Sequence, residues 1–254
     1  MIIFSPLQQF EILPLVNLYF GFFDFSITNS FVITILFFVI SFIFIFILSD
    51  FKNNNIYIFF SRWGIILNDL YLLIIGLVID NIGLKDGAKF FPIVFSVFLF
   101  ILGLNIIGLI PYSFTVTSHF VMTFSFSFFL FLSINIITFL NHGLKFFSLF
   151  LPGGTSIVLA FLLVPIEMIS YFFRPISLSI RLFANMMAGH TLLKVIAGFV
   201  LTIMTLNGVY FIFHYLPLFM LVPLFLLEVG VALIQAFVFS ILISMYINSA
   251  INLH

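Results

Sequence analysis

Five ionisable residues stand inside one apolar stretch of about fifty residues: Glu167, Arg174, Arg181, His190 and Lys194 all lie between Thr155 and Leu206. A later apolar stretch, about 215–250, holds Glu228 and Gln235. On a water-facing surface such residues would be unremarkable. At the centre of a bilayer each charge costs at least about 2.5–3.5 kcal/mol, and the default reading is a polar pathway through protein. The residue types suit that reading. An imidazole with an ordinary pKa near 6.5 loads and unloads protons at physiological pH. A guanidinium, with a pKa above about 12, stays charged throughout.

Spacing adds geometry. At about 100° per residue, Glu167, Arg174, Arg181 and Asn185 fall on one helical stripe. His190, nine residues past Arg181, faces the opposite way, and Lys194 lies on the His190 side. One helix then presents two polar faces at different depths. Two offset half-channels need that arrangement, whereas a single continuous pore does not. With a reversal near Asn207-Gly208-Val209, His190 and Glu228 are each nineteen residues from position 209 and reach a common depth. Gln235 then falls opposite position 183, about 3 Å along the axis from Arg181 at ~1.5 Å per residue. Blander roles stand beside these. Glu167 and Arg174 are seven apart and pair with each other in one alternative. His190 is otherwise a hydrogen-bonded packing residue, Glu228 a paired carboxylate, and Asn185 and Gln235 glue between helices. Arg181 and Lys194 are otherwise snorkelling cations.

The elements that must position these residues follow from composition. The 254 residues are 64% hydrophobic and only 6% charged, against about 25% charged in a soluble domain. Such a chain is solvated by lipid. Formal net charge is zero, with no basic tract to suggest nucleic acid. The absence of cysteine excludes disulfides and thiolate metal sites. No His/Glu spacing suits a metal, and no Gly-rich phosphate loop or nucleophile motif occurs. The first ten residues lack Lys and Arg, which argues against a cleaved import signal. The 42 phenylalanines read as interchangeable lipid-facing residues.

Residues 1–30 read as an extramembrane lead-in, and 31–254 as a single membrane domain. Spans are expected at 31–49, 90–110 and 119–140, followed by a long hairpin over about 155–250 with turns at Pro152-Gly153-Gly154 and Asn207-Gly208. Residues 57–83, broken by Arg62, Asn68, Asp69, Asp80 and Asn81, suit an interfacial amphipathic helix better than a span. The expected fold is therefore an all-α membrane protein of about five embedded helices plus one surface helix. Lys52, Arg62, Lys85, Lys89 and Lys145 all fall in loops on one side, which should be the cytoplasm or matrix. The N-terminus then faces the other compartment and the C-terminus the cation side. His119, His142, His214 and His254 fall at span ends or in loops; His119 lies where it could assist proton entry.

The run PISLSIRLFANMMAGH, residues 175–190, followed by EVGVALIQAFVF, residues 228–239, resembles the two signature helices of ATP synthase subunit a. The opening SPLQQFEI and the run GHTLLKVIAGF are similar to plant and algal mitochondrial members. The resemblance implies a proton-conducting stator subunit of the Fo sector, in the mitochondrial inner membrane. Its N-terminus would face the intermembrane space and its C-terminus the matrix. It implies that Arg181 faces the ring of c subunits, with Asn185 one turn on, Glu167 fourteen positions earlier and Gln235 on the last helix. It pairs His190 with Glu228, as the mitochondrial form does. Partners implied are the c-subunit ring, the peripheral stalk and other Fo subunits, and the bilayer. The subunit would need no cofactor and make no ATP itself. Two rivals are a secondary transporter, which would show inverted repeats, and a structural subunit of a respiratory complex, which would need no intramembrane Arg beside a Gln.

Overall fold

The computed structural model describes residues 5–20, 23–53, 62–110, 113–150, 157–205 and 214–251. The chain is a multi-pass helical membrane protein. Its helices are α1 (Asn29–Asn53), α2 (Arg62–Ile82), α3 (Leu84–Gly108), α4 (Phe120–His142), α5 (Ile157–Met204) and α6 (Tyr215–Ile251). Among the described residues α3, α4, α5 and α6 are long and apolar enough to cross a membrane, and Asn29–Ile43 of α1 is a shorter apolar helix. The turns expected at 152–154 and 207–209 lie outside the described residues.

The residues gather into two compact units. The first comprises 1–60, 100–119 and 183–235; the second comprises 61–99, 120–182 and 236–254.

In the first unit the lead-in is a β-ribbon. Strands β1 (Pro14–Val16) and β4 (Ile27–Thr28) pair antiparallel, as do β2 (Tyr19–Phe20) and β3 (Phe23–Asp24). Asn29 joins ribbon to helix. Its backbone N–H donates to the Leu13 carbonyl at 3.2 Å. Its side-chain oxygen accepts from the N–H groups of Leu13, 3.3 Å, and Ser30, 2.9 Å. Its amide nitrogen donates to the Glu11 carbonyl at 3.1 Å. The residue thus caps α1, as a short polar side chain does at a helix start, and fastens the strand beside it. Further along, the Phe37 ring lies against Gly103 of α3. A Cβ there would collide with it, so glycine is what lets the ring reach that backbone. The 3-10 turn Val116–Ser118 after α3 is buried; Thr115 Oγ1 donates to Ser118 Oγ, and Ser118 Oγ donates to the Thr115 carbonyl, both at 2.6 Å. His119 stacks on Phe114 with ring centres 5.0 Å apart. Burial lowers its pKa from the ordinary imidazole value, which favours the neutral ring.

In the second unit α2 folds back on α3 at Gly83, whose φ of 95° lies in the region glycine favours. Ile74, Val78 and Ile82 form the buried stripe of α2, while Asp69 and Asp80 on its far side are exposed. Val78 meets Gly87, and the Tyr71 ring meets Phe91 and Phe95 edge-on. The helix is amphipathic, as the sequence pattern requires, and its apolar stripe is covered by protein.

Candidate proton-handling groups

In the first unit α5 and α6 run antiparallel and bring His190 and Glu228 together. Nδ1 of His190 lies 3.4 Å from Oε1 of Glu228, with the two side chains 13% and 4% exposed. A glycine makes this possible. A Cβ on Gly189 would sit 2.7 Å from Oε1, 3.1 Å from Cδ and 3.2 Å from Cγ of Glu228. The carboxylate therefore lies against the bare backbone of α5. One turn on, Ala232 packs with Leu109 and Met186, and its carbonyl accepts a hydrogen bond from buried Asn105 of α3 at 3.4 Å. Nε2 of His190, both carboxylate oxygens of Glu228 and the amide oxygen of Asn105 are buried without a hydrogen-bond partner among the described residues. A buried polar group left so costs about 1–3 kcal/mol. Water entering beside the pair would satisfy them.

In the second unit Arg174 is held over two aromatic rings. Its guanidinium carbon lies 5.0 Å from the centre of Tyr171 and 5.3 Å from that of Tyr246. Tyr171 donates its hydroxyl hydrogen to Asn135 of α4. Phe131 and Thr138 line the same cleft. Among the described residues Glu167 and Arg174 form no ion pair, so the tyrosines, not the carboxylate, hold this cation. Ser127 of α4 donates to the Pro175 carbonyl at 3.1 Å, bracing α5 where proline removes a helical hydrogen bond.

The remaining expected residues are placed as follows. Arg181 is exposed on α5. Glu167, Asn185, Lys194 and Gln235 are half-buried. Arg181 belongs to the second unit and Gln235 to the first. Sequence reasoning missed Gly189, Asn105 and the Tyr171–Arg174–Tyr246 stack. Gly189 had a legible signal: glycine inside a helix costs roughly 0.5–1 kcal/mol against alanine, so one beside His190 asks for a close approach.

Gly189→Ala tests that approach. Alanine favours the helix, and the obstructing atoms belong to a side chain that can swing away. The variant should assemble normally, with a stability change within about 1 kcal/mol. Displaced from His190, the carboxylate should exchange protons with it about tenfold more slowly, a loss of ~1.4 kcal/mol. Reconstituted vesicles under an imposed pH gradient read the change in proton transfer.

Fold and site together define a multi-pass helical membrane protein with titratable groups held between its last two helices. The family model described as ATP synthase A chain matches residues 30–248. The chain belongs to this family. ATP synthase subunit a of Pylaiella littoralis is 52% identical over 250 residues, covering 98% of this chain and 99% of that one. ATP synthase subunit a of Marchantia polymorpha is 44% identical over 253 residues, with coverage of 98% and 99%. ATP synthase subunit a-2 of Arabidopsis thaliana is 47% identical over 254 residues, covering 98% of this chain and 72% of the other.

Proposed function

We propose that the chain is the proton-conducting stator subunit of a rotary ATP synthase in the mitochondrial inner membrane, with its N-terminus toward the intermembrane space and its C-terminus toward the matrix. Protons enter by a half-channel at His190 and Glu228 and pass to a membrane-embedded carboxylate on the c-subunit ring. The neutralised site turns through lipid and releases its proton to a second half-channel near Glu167. Arg181 favours the ionised ring carboxylate and blocks a direct path between the half-channels, and Asn185 and Gln235 supply further polar groups to the pathway. The subunit makes no ATP itself; soluble partner subunits do. Family membership supports the role, and the fall of Lys52, Arg62, Lys85, Lys89 and Lys145 on one side in the order of the expected spans supports the orientation.

The observation that carries the pathway is the buried His190–Glu228 pair with its unsatisfied polar atoms. A group that relays protons must contact a proton donor or water, and this pair has hydrogen-bonding capacity that the described residues do not use. Its sidedness is open to test because the chain has no cysteine. In inner-membrane vesicles of either orientation, His190→Cys should react with a small impermeant thiol reagent from the intermembrane-space side. Glu167→Cys should react from the matrix side. Labelling of both from the same side refutes the two-half-channel reading.

A further inference from the structure

We propose that the N-terminal β-ribbon, from about Ile12 to Phe25, lies in the headgroup layer of the bilayer that α1 enters, held there by apolar contact rather than by charge. The ribbon is two strands wide, and an isolated two-stranded hairpin is marginally stable at best in water. Here no third strand pairs with it among the described residues, and β1 is exposed along its whole length. Ile12, Leu13, Leu15, Val16 and Leu18 are 40–61% exposed. These side chains need an apolar surrounding.

Position and charge decide which one. Three hydrogen bonds of Asn29 tie the helix to Glu11 and Leu13. Leu13, the residue before β1, therefore sits at the first turn of α1. From there the lipid-facing surface of α1 continues through exposed Phe31, Val32, Ile35 and Phe38. The ribbon prolongs that surface at the membrane boundary. It goes no deeper, because open sheet edges do not occur in hydrocarbon, where their free N–H and C=O groups find no partner. The sequence at 19–25, YFGFFDF, is aromatic, and tyrosine favours the interface. Before Lys52 the chain has no Lys or Arg, and up to Ser49 its charges are Glu11 and Asp24. Attraction to anionic headgroups, which polybasic segments use, is therefore absent.

The test uses the assembled synthase in liposomes, with a nitroxide attached to Leu15→Cys or, separately, to Leu18→Cys. Collision with oxygen, which concentrates in lipid, should exceed collision with a water-soluble nickel chelate several-fold, relative to the same label on Lys89→Cys. The ratio should not change when phosphatidylcholine is partly replaced by phosphatidylglycerol, or when salt is raised. A label freely accessible to nickel overturns the proposal. So does one shielded from both quenchers, which would mean another subunit covers the ribbon. A ratio that follows anionic lipid or salt overturns the apolar mode of attachment.

Discussion

Replacing Arg181 by alanine should abolish ATP-driven proton pumping while leaving the complex assembled. The two halves of that expectation have separate grounds. Arg181 is exposed on α5 and makes no hydrogen bond or ion pair within the described residues, and surface substitutions of that kind usually change stability by no more than about 0.5 kcal/mol. No ion pair among the described residues therefore demands the guanidinium. Under the proposed function its role is to meet the charge of a partner there. Its removal should also let protons run between the half-channels, dissipating about 2.3 kcal/mol per proton per 100 mV. Arg181→Lys should fail as well, since a desolvated lysine sheds its proton where arginine keeps its own. Vesicles containing each variant, with pumping read by a pH-sensitive dye and passive leak by decay of a preset gradient, provide the measurement. Coupled pumping at the normal rate in Arg181→Ala would refute the proposed function.

Glu228→Gln should lower proton flux about 10²-fold, the range typical of losing a positioned acid–base group, without weakening the fold. The amide has nearly the shape of the carboxylate and carries no charge. Glu228 is 3% exposed, its carboxylate oxygens accept no hydrogen bond among the described residues, and an uncharged amide avoids the cost of burying a charge. Stability and transport should therefore part company, whereas a merely structural Glu228 would lose both or neither. Glu228→Asp keeps the acid but withdraws it by one methylene from His190, 3.4 Å away, and should give an intermediate flux. Gradient-driven ATP synthesis and thermal unfolding of the purified complex, measured on the same preparations, decide the matter.

The sequence made the helices legible because lipid imposes a coarse rule, namely about 20 apolar residues per span. The spans expected at 119–140 and 215–250 fall close to α4 and α6. The one expected at 90–110 begins earlier, at Leu84. The Lys89–Asp86 pair and Pro92 belong to the same helix, and hydropathy alone stops at the first charges. Antiparallel depth was legible too. Counting from position 209 placed His190 level with Glu228, and the structure brings them together. What periodicity could not supply was anything fixed by a distant partner. The ribbon depends on backbone pairing across residues 14–28. The hold on Arg174 depends on Tyr246, seventy-two residues away. Its alternative as a partner of Glu167 looked equally good on a helical wheel.

The length of α5 has an electrical consequence. Its 48 residues measure about 70 Å at ~1.5 Å each, more than twice the ~30 Å hydrocarbon layer. Large apolar side chains stay exposed near both ends, Phe161 and Leu162 at one and Phe199 and Leu201 at the other, so neither end belongs in water. A helix longer than the layer is accommodated by tilting or kinking, and Pro165 and Pro175 lie inside this one. Wherever a stretch of it lies tilted, the voltage between successive turns is smaller than along an upright helix. A charge introduced one turn earlier or later should therefore shift the voltage dependence of proton flow in small, graded steps.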